Sequence, residues 1–336
     1  MKKYWITASQ GIGRQDISSF QMSREPIPLH LAEWPYPHQK DALSARLQML
    51  LQSVQEEGDF SLARLEGVTV TENLTTALGA FDAGYESDHS AAMRETVVGR
   101  MITTLRGGAI GGHIFFPVDA ALQILDREAP LHHTSTYMFV HECAHVHDLE
   151  QRAVALPGEI LHQPLSRPLA LCLQISWNEY AACRLAAYSY PDQVHDLKAC
   201  LRQAIVGLAD ARLRTKDAFA PTEQGRQNAL TVGLNAALPL LQSFSYLLGH
   251  CRGLHWPLLQ NVPENYRLLE QSPEIAEALR SVEQELDTLW AGYGAWSTFQ
   301  VFDGLIPAIC DVVRATTGLV LKRGEGQLMG VGLCIR

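Results

Sequence analysis

The chain has 336 residues, 47% of them hydrophobic and 19% charged, with a formal net charge of −9. That balance excludes a disordered chain and supplies enough apolar surface for one large domain or two packed ones. The acidic balance, with no cluster of Lys and Arg, excludes nucleic-acid binding as the main function, because phosphate contacts need concentrated positive charge.

Residues 1–37 are rich in Ser, Gln and Pro, with Pro26, Pro28, Pro35 and Pro37 close together, and predict an extended N-terminal arm that could wrap on the body through Trp34 and Tyr36. Lys2 and Lys3 are not followed by an apolar run, so no secretion signal is expected. The seven cysteines contain no CxxC pair. They predict neither a zinc ribbon nor a disulfide framework, and a reducing cytoplasm is the expected compartment. Leu43, Leu47, Leu50, Leu51 and Val54 recur at helical spacing, while Gly67 to Thr71 alternates as a short strand. Residues 74–87 favour no one structure. Over 91–105, Met93, Val97, Val98, Met101 and Ile102 fall on one side of an expected helix. Gly107 to Pro117 predicts a strand with Ile114 to Phe116 at its centre.

A short helix is expected over 118–127 and a long one from about 134 to 153, with Thr134 or Ser135 as its N-cap after Pro130. A proline-bearing loop leads to a second long helix from Pro168 to about Tyr188, Pro168 suiting the first turn. Further helices are expected near 193–214, 222–250, 263–295 and 298–316, and a final hairpin turns at Gly324 to Gly326. Gln227 to Cys251 carries no charged residue, but Pro239 and several polar side chains make it a buried core helix rather than a membrane span. The expected class is α+β and mostly helical. The arm (1–37) leads into a metal-binding core with a small sheet (38–190), and a helical region (191–336) packs on that core.

One pattern names a chemistry. In Tyr137-Met-Phe-Val-His-Glu-Cys-Ala-His-Val-His-Asp148, His141 and His145 stand four apart, so on a helix both imidazoles leave one face and can meet one metal ion. Glu142 is turned about 100° from His141, where its carboxylate can act as general base on a water without ligating the metal. Two histidines and a glutamate in an apolar helix are costly to bury unless a metal compensates them. The alternative is an amphipathic helix whose polar side is solvated. A catalytic zinc takes a third protein ligand and leaves one position open. Glu179 is the best candidate, being the first charge after Arg167 in an otherwise apolar helix; Arg184 or solvent is the rival explanation of that charge. Asp148 falls nearly on the face of both histidines and is placed to accept a hydrogen bond from a ligand imidazole. His147 faces away, and His132, His133 and His162 sit where they could touch substrate. Tyr180, Tyr188, Tyr190 and the loop histidines are all available as oxyanion donors, and the sequence does not choose among them.

His141-Glu142-x-x-His145 followed by Glu179 on a later helix resembles the gluzincin side of the zincin metallopeptidases. Asn178-Glu179 resembles the dipeptide of thermolysin-like enzymes, although Cys183 stands where those carry an aspartate, and Glu179-x-x-Ala182 resembles the ImmA/IrrE group of intracellular peptidases. The likeness covers about residues 107–190. It implies a zincin-like core, Zn2+ as cofactor, and a peptide or protein substrate. It also implies that the strand before the metal helix, Gly112, His113, Ile114 and Phe115, is the open sheet edge on which a substrate backbone lies. An internal strand with no ligand is the alternative there. A second function class is a zincin-fold sensor or binding protein with a metal site and little turnover. A helical interaction protein with an accidental motif is the third. Oligomeric state is not legible.

Overall fold

The computed structural model describes residues 26–31, 34–84, 99–156, 167–258, 263–323 and 328–333. In chain order these form β1 (Leu29–His30), α1 (Lys40–Glu56), β2 (Leu65–Thr71), α2 (Leu74–Ala80), β3 (Arg100–Arg106), β4 (Ala109–Pro117), α3 (Val118–Leu125), α4 (His132–Ala155), α5 (Arg167–Ala186), α6 (Val194–Val206), α7 (Ala211–Ala218), α8 (Glu223–Gly253), α9 (Pro263–Glu270), α10 (Pro273–Ala291), α11 (Leu305–Thr317), β5 (Leu319–Arg323) and β6 (Leu328–Leu333). The protein is therefore mostly helical with a small mixed sheet, as its composition and periodicities predict. No described helix is long and apolar enough to cross a membrane.

The sheet runs β1-β2-β4-β3, with β1, β2 and β4 parallel and β3 antiparallel to β4. Side chains alternate between its faces as strand geometry requires. Ile114 and Phe116 join Val68 and Val70 in a core with α1, α3 and α4, while Phe115 and Ile102 face α2. Trp34 is buried in that first core and Tyr36 is exposed, so the described end of the arm lies on the body through one of its two aromatics.

Four expectations need correction, the first being the single helix over 193–214, which breaks at Gly207 into α6 and α7. Gly112 to Phe115 do not form an edge: β4 is paired on both sides, to β2 through Val68↔Ile114 and Thr69↔Phe115 and to β3 through Met101↔Ile114. Its near-complete burial follows from that interior place. Residues 100–105 are strand rather than helix, because Ile102, Thr103 and Thr104 suit a pleated surface better than a helix; 85–98 lie outside the described residues. Neither Thr134 nor Ser135 caps α4, which begins at His132 without a capping side chain on Leu131. The Gln123 side chain accepts the Leu131 amide instead, at 3.1 Å.

The helical half has its own core, built by α5 to α11, and α5 takes part in both. Leu169, Cys172, Leu173, Trp177, Tyr180 and Ala181 pack with the C-terminal helices, whereas Ala182 and Ala186 pack with α4 and the sheet. The long α8 lies hard against α5. A methyl group at Gly249 would run into the Tyr180 carbonyl and one at Gly253 into the Arg184 carbonyl, so glycine at both positions is what permits this approach. The closing hairpin pairs Leu319↔Leu333 and Leu321↔Val331; its expected turn at Gly324 to Gly326 lies outside the described residues.

Candidate metal centre

Helix α4 carries His141 and His145 one turn apart, and α5 packs against it so that Glu179 faces both. His141 Nε2 is 3.2 Å and His145 Nε2 3.3 Å from Glu179 Oε2. One ligand atom from each of the three residues lies within 4.8 Å of the other two. A tetrahedral zinc with bonds of about 2.0–2.1 Å spaces its ligand atoms about 3.3 Å apart, so these two edges have the length such an ion requires. The rings meet edge to face, centroids 4.6 Å apart, so both Nε2 atoms converge without the rings stacking.

The electrostatics fit the same geometry. Burial opposes the charged form of His141, but the Cys183 charge and the Glu179 hydrogen bond outweigh it and raise the imidazole to about 9. His145 is raised too, against burial, by its hydrogen bond and charge interaction with Glu179. Burial alone would raise Glu179, yet hydrogen bonds from both imidazoles hold it well below the usual carboxylate range. Metal uptake at such ligands displaces protons from the imidazoles.

Around this trio stand side chains that the motif itself does not announce. The second oxygen of Glu179, Oε1, accepts from Gln242 Nε2 of α8 at 3.3 Å. Gln242 also donates to the Tyr246 hydroxyl at 2.8 Å. Tyr246 meets His141 edge-on at 5.9 Å, and burial together with the nearby Glu179 charge keeps its phenol protonated. Behind His141, Nδ1 faces Cys183 Sγ at 3.6 Å. The signal that could have found the α8 pair was the charge-free run from Gln227 to Cys251, in which Gln242 and Tyr246 stand four apart on one face.

Glu142 is 7% exposed. Its Oε2 accepts the Met101 amide at 2.6 Å, which fixes one carboxylate oxygen at the start of β3. Gly99 passes close by, where a methyl group would touch Glu142 Cγ and Phe116. This region of β3, rather than β4, borders the general-base candidate. Further along the same strand, Leu105 donates to the Ala83 carbonyl at 2.8 Å.

The other predicted residues sort plainly. Asp148 does not reach a ligand imidazole; its wholly buried carboxylate accepts from the Trp177 indole at 3.1 Å and from Arg152 Nε at 2.8 Å. The helix face was right, but Trp177 on α5 and Arg152 one turn on compete for the same oxygens. Arg184 does not pair with Glu179: it lies over the Trp290 ring at 4.3 Å and contacts Tyr180 and Asp287. Tyr180 donates to Asp287 Oδ1 at 2.9 Å, Tyr190 stacks on His133 at 5.4 Å, and Tyr188 is exposed, so none of these serves the centre. His147 turns away as expected and accepts the Ser61 amide at 2.9 Å. His132 pairs through Nδ1 with the Gln123 carbonyl, and His162 lies outside the described residues. Comparison of the chain with models of known protein families, with curated proteins and with solved structures finds no match.

Proposed function

We propose that the chain is a zinc-dependent metallopeptidase with a zincin-like core, acting on a peptide or protein in the cytoplasm, with His141, His145 and Glu179 holding the metal. The observation that carries this reading is the spacing of both imidazole nitrogens from one carboxylate oxygen, 3.2 and 3.3 Å, which matches the edge of a tetrahedral zinc site. A zinc ion held there would supply a Lewis acid and would lower the pKa of a bound water to about 7. Glu142 would take a proton from the attacking water and return it to the leaving amine. Met101 holds one oxygen of Glu142, leaving the other for the water. The protonated Tyr246 hydroxyl, from the α8 face of the site, is the donor suited to the developing oxyanion. The free thiols of the buried cysteines fit a reducing compartment.

A second reading, a metal-holding sensor with negligible turnover, draws on the enclosure of Glu142 and its engagement by Met101. The two part at Glu142. Protein purified without added metal should carry about one zinc per chain, lost in His141→Ala. Glu142→Gln should keep that zinc and abolish cleavage of a substrate that the wild type cuts. Cleavage that persists in Glu142→Gln removes the mechanism, and a zinc-free wild type removes the metal centre.

A further inference from the structure

We propose that Cys183 is the positioning residue of His141: its sulfur accepts the Nδ1 proton of that imidazole and so fixes the ring plane and tautomer with which Nε2 meets the metal. This rests on the metal-centre reading above.

His141 turns Nε2 toward Glu179, 3.2 Å away. A neutral imidazole that ligates through Nε2 carries its proton on Nδ1, and that proton needs an acceptor when the ring is buried. The atom in reach is Cys183 Sγ, 3.6 Å from Nδ1, an ordinary length for a bond to sulfur. The same sulfur accepts the Tyr137 hydroxyl at 3.3 Å. Cys183 and Tyr137 are 1% and 4% exposed, so water does not compete for either bond.

Helix periodicity explains how the arrangement is assembled. Cys183 stands one turn after Glu179 on α5, so a single helix presents a carboxylate to one nitrogen of His141 and a thiol to the other. Tyr137 stands one turn before His141 on α4 and closes the chain Tyr137, Cys183, His141. Metal-ligating histidines usually give their second N–H to a carboxylate, a carbonyl or water. Asp148, the carboxylate that the sequence offers for the task, is engaged by Trp177 and Arg152.

The test uses the full chain, stripped of metal with a chelator. Zinc is titrated in competition with a chromophoric chelator, and the visible spectrum is recorded after Co2+ loading. Cys183→Ala should weaken zinc binding about tenfold to a hundredfold, as loss of an outer-shell partner typically does. It should also shift the cobalt d–d bands, which report ligand geometry. Cys183→Ser, which keeps an acceptor, should recover most of the affinity. Zinc affinity within about twofold of wild type, with unchanged cobalt bands in Cys183→Ala, overturns the proposal. So does a near-ultraviolet thiolate-to-cobalt band in the wild type, which would make the sulfur a ligand. If Cys183→Ala does not fold, Tyr137→Phe is read the same way: shifted bands and looser zinc uphold the proposal, and an unchanged centre overturns it. A wild type that binds no zinc sinks the metal reading itself, and this inference with it.

Discussion

Gly249 lies directly against the backbone carbonyl of Tyr180, and this contact, with that of Gly253 against Arg184, sets how far α8 stands from the metal-bearing α5. Gln242 and Tyr246 reach the centre from α8, so their geometry depends on that closeness. Gly249→Ala should cost about 1–3 kcal/mol by overpacking and should loosen zinc binding. Alanine favours an isolated helix over glycine by about 1 kcal/mol. A variant as stable as wild type in urea unfolding would therefore refute the close approach.

Tyr246→Phe removes one hydroxyl and keeps the ring against His141. Cleavage should fall about a hundredfold, the usual cost of one oxyanion donor, while zinc stoichiometry stays at that of the wild type. Single-turnover kinetics alongside metal analysis make the distinction. A rate within a few-fold of wild type would assign the donor elsewhere.

Asp148 and Arg152 form a buried pair, 2.8 Å apart, that ties the end of α4 to Trp177. Arg152→Ala leaves a fully buried carboxylate short of its cation and should destabilise the fold by about 3 kcal/mol. Asp148→Asn should leave the zinc content intact, because the carboxylate touches neither ligand imidazole. Metal loss in Asp148→Asn, with the fold preserved by circular dichroism, would contradict that placement.

His113 supplies a pH dependence. Burial, and then the positive charges of His30 and Arg106, lower this imidazole to about 4. Its Nε2 pairs with Thr69 Oγ1 at 2.8 Å, and its ring sits between His30 and Phe81. An unfolded histidine titrates near 6.5, so between about pH 6.5 and 4 the unfolded chain binds a proton that the folded chain does not. The stabilising contribution is complete above pH 6.5 and is lost as the pH falls toward 4, on the order of 2 kcal/mol. Urea unfolding at pH 7 and pH 4.5 should show a smaller drop for His113→Gln than for wild type. Equal drops would mean that His113 is protonated in the folded protein.

Much of this is legible in the sequence. The interval of four between His141 and His145 follows from helix periodicity, and Glu179, the first charge after Arg167 in an apolar helix, stands out by the cost of burying it; the fold brings the three together. What periodicity could not supply was strand order. Gly112 to Phe115 look the same on an edge as inside a sheet, and only the pairing of β4 with both β2 and β3 separates the two. Asp148 was misassigned for a related reason: a helix face states which way a carboxylate points, not which donor on another helix arrives first. Gln242 and Tyr246 were hidden because contacts from a distant helix leave no mark on the motif they serve.

Because α5 gives one flank to each hydrophobic core, the segment that bears the ligands is not a detachable module. A fragment ending near residue 190 would retain His141, His145 and Glu179, yet it would turn Leu169, Leu173, Trp177 and Tyr180 out into water. It would also strip Gln242 from the carboxylate it braces. Limited proteolysis should accordingly find no stable N-terminal piece, and any attempt to miniaturise the protein must carry α8 along.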